Sequence, residues 1–398
     1  MNSPVSRTPD TERELLLRCC AASGPMTDRA AMGECAGRRV DWDRFLALAD
    51  RNRVTPMVGA RLGAEGIANP PPYVARALRF SYEINALRNN YRAGCVTEIV
   101  DSFAAGAVPA IAIKGPALAI AAYGDVAMRV FDDLDFMVRL ADLRRAAKAL
   151  ERVAYASAVY RPEVVESGFF PDTSLDFSRE DSVVDLHWAL SPGYFPFAPE
   201  GEQVWNRTVE IELLGRRVRV LGPADSILFQ ACHGSKHGWM TLSQICDFAH
   251  LLATATTVNW TSLLDDARRT QSLRMVLLAV HLTHSLELCE VPAELLDAAR
   301  RDSHIASLSR RVTQGIFDSR RAVKLDDWSI ALGTIESMRG RARYIVHRMI
   351  TPKMSDRALM PLPRALYPLY YLARPLLVAI KHRQRMFGKR ETAGLPRI

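Results

Sequence analysis

The sequence predicts an α+β protein in which a small mixed β-sheet core is flanked by N-terminal helices and a C-terminal helical domain. Two observations frame this reading: apolar residues recur three and four apart up to about residue 105, and they do so again after Pro223. The third lies between them, where apolar runs are short, partly β-branched and punctuated by glycine. The expected divisions are residues 1–105, a helical region; 106–222, the α/β core; 223–338, a helical domain; and 339–398, a basic, apolar tail.

Taken in order, Leu15, Leu16 and Leu17 begin the helical region, followed by DWDRFLALADRNRVTPMVGARL and by VARALRFSYEINALRNNYRAG, with Pro70, Pro71 and Pro72 separating the last two. VPAIAIKG then reads as a buried strand ending in a turn at Gly115. GPALAIAAYG reads as a short helix with Pro116 in its first turn and Gly124 as its stop. FDDLDFMVRL is a strand, and ADLRRAAKALERVAY an amphipathic helix with Leu143, Ala146, Ala147 and Leu150 on one face. SLDFSR and VVDLHWAL are further strands, and TVEIELLG with RRVRVLG alternate as a hairpin about Gly215 and Arg216. After Pro223 every apolar pattern is helical.

Composition excludes several classes. With 398 residues, 48% hydrophobic and 24% charged, the chain has material for two to three domains and is neither disordered nor a fibrous rod. The seven cysteines (19, 20, 35, 95, 232, 246 and 289) form no C-x-x-C pair, so they read as buried small hydrophobes in a reducing compartment. Charges interrupt the first 20 residues where a signal peptide needs an apolar run, and no apolar stretch of membrane-spanning length is free of charge. The expected location is cytoplasmic, with peripheral membrane contact open. Residues 339–398 carry 14 Lys and Arg against two acids, so the +8 of the whole chain leaves residues 1–338 at net −4. The cationic tail is thus the segment suited to anionic lipid, nucleic acid or an acidic partner; self-packing with arginines outward is the favoured alternative.

The chemical signal lies in IKGPALAIAAYGDVAMRVFDDLDFMV. On a strand, residues two apart share a face, so Asp133 and Asp135 point together while Leu134 and Phe136 face the core, and Asp132 faces away. Two carboxylates about 4 to 5 Å apart repel by roughly 3 to 4 kcal/mol at an effective dielectric near 20, a conflict a divalent cation resolves. Oxygen donors that leave sites open for water and phosphate suit Mg²⁺ or Mn²⁺. In VVDLHW, Asp185 and His187 share one face, so an adjacent strand would make Asp185 the third acid, with His187 beside it to touch substrate or orient a carboxylate. Three such acids can hold two metals for in-line transfer of a phosphoryl-type group from an NTP. Lys114, the Gly115 turn at a helix start, and Arg129 are the candidate phosphate contacts.

These residues, in this order, resemble the uncharacterised nucleotidyltransferase-fold family related to DNA polymerase β-type enzymes. DWDRFLALADRNRVTP before the core and HGSKHGWMTLSQICDFAHLL after it are similar to that family's flanking helices, so the likeness spans about residues 40–380. The resemblance implies a metal-dependent nucleotidyltransferase core with Asp133 and Asp135 as ligands and Asp185 as the third acid, which would also help activate the acceptor oxygen. The acceptor is open, with a small molecule favoured and nucleic acid not excluded. Polymerase β-type enzymes place Gly-Ser shortly before the paired acids; here Gly115 follows Lys114 and precedes Pro116, with a longer spacer. That departure supports an alternative: a catalytically inactive binding or regulatory module, such as an accessory factor in a biosynthetic pathway.

Three further features belong to the helical domain. His233 and His237 have a zinc-compatible spacing, but glycine at 234 removes the glutamate of H-E-x-x-H, favouring a structural or acceptor-facing role. Lys236 and Asp247 would line the cleft if these helices pack over the core. Trp188 and Trp239 read as packing anchors.

Overall fold

The computed structural model describes residues 10–63, 70–165, 167–170, 172–197, 201–318 and 328–377. Six strands form one mixed sheet in the order β3-β4-β2-β1-β6-β5, with β1 at Ala110–Ala112, β2 at Asp133–Val138, β3 at Ser174–Arg179, β4 at Ser182–His187, β5 at Val209–Leu213 and β6 at Arg216–Val220. The α+β expectation is met. β2 runs antiparallel to β1 and parallel to β4, while β3–β4 and β5–β6 are antiparallel hairpin pairs. The β5–β6 turn places both Leu214 (φ 48°) and Gly215 (φ 75°) in the left-handed region that tight hairpins require.

Side-chain alternation assigns the two faces of the sheet to different cores. Leu134, Phe136 and Val138 of β2 and Val184 and Leu186 of β4 enter a core shared with Phe103 of the Pro72–Ala105 helix and Leu150 of the Leu143–Arg152 helix. Ile111 and Met137, on the opposite face, join a larger core built by the helices. That larger core contains Leu15, Phe45 and Val58 from the first helices together with Phe248, Leu278 and Ile330 from those after Pro223. The helical segments that bracket the sheet in sequence therefore meet in space.

The Pro72–Ala105 helix is one continuous element of 34 residues. Its polar residues hold the irregular segment that leads into β2. Asn85 and Asn89 both donate to the carbonyl of Arg129, at 3.0 and 2.8 Å, and Arg92 donates to that of Phe131 at 2.5 Å. Asn85 and Asn89 also reach the carbonyls of Ala127 and Val126.

Part of the tail packs on the sheet's core. Tyr367 and Tyr370 are buried against Phe170, and Arg374 and Asp356 form a buried ion pair. The tail also leaves Leu372 and Leu376 exposed. Its residues from 378 onward lie outside the described residues. No described helix is long and apolar enough to cross a membrane.

Candidate active site

Parallel pairing sets Asp135 of β2 opposite Asp185 of β4, and Met137 opposite His187. Since alternation already places Leu134 and Phe136 in the sheet's core, Asp133 and Asp135 are held on the other face, where Asp185 and His187 also stand. β1 leads into the same place. Ile113 donates its N–H to the Asp135 carbonyl at 3.0 Å, and Lys114 then caps the Gly115–Tyr123 helix. Gly115 has φ +61°, and a Cβ there would meet the Asp133 carbonyl oxygen at 3.3 Å. Glycine is what lets this turn lie against β2.

Asp135 is the centre of the site, with only 2% of its surface exposed. Its Oδ1 accepts from Lys114 Nζ at 2.6 Å and lies 3.3 Å from His187 Nε2, which also reaches Asp185 Oδ2 at 3.0 Å. Burial alone would raise the Asp135 carboxyl, but the Lys114 ammonium and His187 hold it well below the usual carboxylate range. Asp185 is likewise held low against its burial by His187. The imidazole is correspondingly raised, since contact with the two carboxylates outweighs burial. Asp133 goes the other way: burial and the negative charges of Asp135 and Asp185 outweigh Lys114 and push it up.

Asp135, Asp185 and His187 each offer a donor atom within 4.8 Å of the others, a group among the described residues that suits a metal ion. Asp133 stands outside this compact trio and within its electrostatic reach. Asp135 Oδ2 and Asp185 Oδ1 are both buried without a hydrogen-bond partner among the described residues. Buried carboxylate oxygens in that state are costly unless a cation or donor satisfies them, so the donor set fits a divalent ion.

The helices after Pro223 close over this face. Arg129 Nε donates to Asp247 Oδ2 at 2.9 Å, and Tyr123 donates to Asp247 Oδ1 at 2.7 Å, which ties the sheet's approach segment to the Leu242–Thr254 helix. Arg129 Nη1 is buried and unpartnered. On the Pro223–Lys236 helix, burial and the nearby Lys114 charge push His233 well down, and Lys236 is lowered chiefly by burial. His237, which caps that helix, is pushed down to about 3 by burial with Lys236 and Lys114 nearby.

A family model described as an uncharacterised nucleotidyltransferase matches residues 38–286, more than half of the 398-residue chain. The chain belongs to this family. The matched span contains all six strands and ends within the helices, short of the residue 380 to which the sequence resemblance extends. Among solved structures, the solution structure of the antibiotic-resistance factor ANT(2'')-Ia is similar at 15% identity and a TM-score of 0.33, covering 49% of this chain and 99% of that one. A likeness at that score carries no argument about fold or activity. No curated protein matches the chain.

Within this nucleotidyltransferase-family core, the sequence-derived residues Asp133, Asp135, Asp185 and His187 share one face, with Lys114 on Asp135 rather than free in the cleft. Gly115 forms the turn beside them, and Arg129 is clamped by Asp247 through one edge of its guanidinium. Asp132 points elsewhere and pairs with Arg53 at 2.7 Å. One acid escaped the sequence reading. Asp176 of β3, on the exposed side of its strand, stands opposite Asp185 in register, and partial desolvation together with Asp185 and Asp133 raises its carboxyl. The available signal was its alternation with Leu175 and Phe177, both buried in the sheet's core.

Proposed function

We propose that this protein transfers a nucleoside monophosphate from an NTP to the hydroxyl of an acceptor, a small molecule being favoured, with release of pyrophosphate and with Mg²⁺ or Mn²⁺ bound at the acids of β2 and β4. The observation that carries this reading is the pair of buried, unpartnered oxygens, Asp135 Oδ2 and Asp185 Oδ1, in a chain of the nucleotidyltransferase family. Asp135, Asp185 and His187 would hold the ion, with Asp133 completing the acidic set. The ion supplies charge neutralisation at the phosphates and makes an oxygen nucleophile more acidic.

The chain's own residues account for the rest. Lys114, beside Asp135, would contact phosphate, and Arg129 Nη1 offers a donor that no described residue uses. Asp185, held ionised by His187, acts as a ligand. Asp133, two residues from Asp135 on the same face of β2 and raised by burial and by the charges of Asp135 and Asp185, would take the acceptor's proton at its carboxylate, so the activating role expected of Asp185 passes to Asp133 in this reading. His233 and Lys236, held toward neutrality by burial and the nearby Lys114 charge, are the candidates on the Pro223–Lys236 helix for contact with the acceptor.

The test is thermal unfolding with and without MgCl₂ or MnCl₂, paired with an isotope-labelled NTP screen against small acceptors. Metal at about 100 times its dissociation constant should stabilise the wild type by roughly 2.7 kcal/mol. Asp135→Asn combined with Asp185→Asn should abolish both that gain and label transfer. Metal stabilisation that survives the double substitution would place the ion elsewhere.

A second reading, a family core without catalysis that serves as a binding module, is favoured by one contact. Lys114 Nζ, 2.6 Å from Asp135, already supplies an internal positive charge. That reading expects no metal-dependent gain in stability and no label transfer to any acceptor.

A further inference from the structure

The Pro72–Ala105 helix, about 50 Å long at 1.5 Å per residue, buries Val74, Leu78, Asn85, Asn89 and Arg92 against its own chain. Its opposite side carries Tyr73, Ala77, Phe80, Ile84, Leu87 and Tyr91, alternately four and three residues apart. All six are exposed, Phe80 at 65% and Leu87 at 68%. Alternation of four and three is the seam of a two-stranded coiled coil, with Ala77, Ile84 and Tyr91 at a positions and Tyr73, Phe80 and Leu87 at d positions. An amphipathic helix that packs only within its own domain has no use for a second apolar seam on its outer side.

We propose that this seam is the interface of a parallel homodimer, the occupant being the same helix of a second copy of this chain. Charge decides the partner and its direction. In this register Glu83 occupies a g position and Arg88 the e position of the next heptad, five residues on. Parallel pairing therefore sets Glu83 against the partner subunit's Arg88, twice by symmetry. Antiparallel pairing over the same seam, with Tyr73 opposite the partner subunit's Tyr91, brings the two Glu83 side chains together. The β-branched Ile84 at a, followed by Leu87 at d, also favours two parallel strands. Within the chain Glu83 contacts Arg79 at 2.9 Å, but both side chains are more than half exposed, so this pair is weak and readily exchanged. A membrane-surface helix is less well matched, because the apolar stripe is a single seam wide and an acid stands on its border.

Sedimentation velocity on the full chain over a concentration series tests the proposal. The wild type should associate to a dimer. Leu87→Glu, a change at an exposed position that leaves the fold intact by circular dichroism, should be monomeric. Glu83→Arg and Arg88→Glu should each weaken association about tenfold, and the combined charge swap should restore it. Since all seven native cysteines are buried, Ala77→Cys under mild oxidation should give a disulfide-linked dimer, as parallel register alone brings the two copies of residue 77 together. A monomeric wild type, a dimer indifferent to Leu87→Glu, or a charge swap that fails to restore association would overturn the proposal. So would a monomer that co-sediments with phosphatidylserine vesicles through Leu87, which would assign the stripe to lipid.

Discussion

Asp247 accepts from Arg129 and from Tyr123, and so carries a joint between residues 118 and 124 positions away in sequence. Both members of the Arg129–Asp247 pair are largely buried, at 13% and 5% side-chain exposure. Removing one partner strands the other charge out of water, so Asp247→Ala should cost about 3–5 kcal/mol in urea unfolding. Asp247→Asn, which keeps an acceptor, should cost less; equal losses would mean that the charge is not what matters there. Sequence made the strand residues legible because a period of two admits only two faces, and apolar neighbours had already claimed one of them. The shared face of Asp133 with Asp135, and that of Asp185 with His187, followed from that alone; that β4 pairs with β2 did not. Partners across long separations were not legible in this way: nothing local to Lys114 says that Asp135 will occupy its ammonium, or local to Arg129 that Asp247 will meet it.

The Pro223–Lys236 helix shows how an element acquires its sequence from its neighbour. The zinc-compatible spacing of His233 and His237 brings the rings to 4.6 Å between centroids, but the glycine between them answers to packing. Trp239, 1% exposed and with φ +50°, folds back so that a Cβ at Gly234 would lie 2.6 Å from its indole ring. Gly234→Ala should therefore destabilise by about 1–3 kcal/mol through overpacking. Pairing it with Trp239→Leu should return part of that loss relative to Trp239→Leu alone, a coupling that a double-mutant cycle in urea reads directly. Additive losses would show that helix and indole do not share this space. The anchoring role of Trp239 was legible from its size and surroundings, but the reason for Gly234 was not: Gly238 (φ 71°) signals that the helix stops there, not that the chain then lays Trp239 on Gly234. The full length of the Pro72–Ala105 helix was hidden for another reason. Its apolar residues lie on two faces, one buried by Val74 and Leu78 and one exposed at Phe80 and Leu87, which blurs a single-face pattern.

On the scale of the whole molecule, the helices before and after the sheet share one core, although the sequence presents them as separate runs. Amphipathic periodicity states that a face is buried and is silent about what buries it. Several polar contacts cross this junction, among them Leu242 N–H to Asn52 Oδ1 and Arg51 to the Ile316 carbonyl. The one that can titrate is His250 Nε2 on the Leu242–Thr254 helix, 3.1 Å from the carbonyl oxygen of Cys20, at the end of the Thr11–Cys20 helix. Burial pushes the His250 imidazole down to about 4 from its ordinary 6.5. Above 6.5 the ring is neutral in both folded and unfolded chains, and the junction keeps its full stability. Between 6.5 and about 4 only the unfolded chain takes up the proton, so stability should fall with pH, by up to roughly 3 kcal/mol from this residue, and the loss is complete below the folded value. Urea unfolding in steps from neutral pH to about pH 4 measures that slope. His250→Gln retains an N–H donor for the Cys20 carbonyl and cannot titrate, so its stability should decline less steeply over the same interval, by the amount assigned to His250. Parallel slopes for the two proteins would show that the imidazole is protonated as freely in the folded chain as in the unfolded one, and that the contact between the Thr11–Cys20 and Leu242–Thr254 helices is not the acid-sensitive joint.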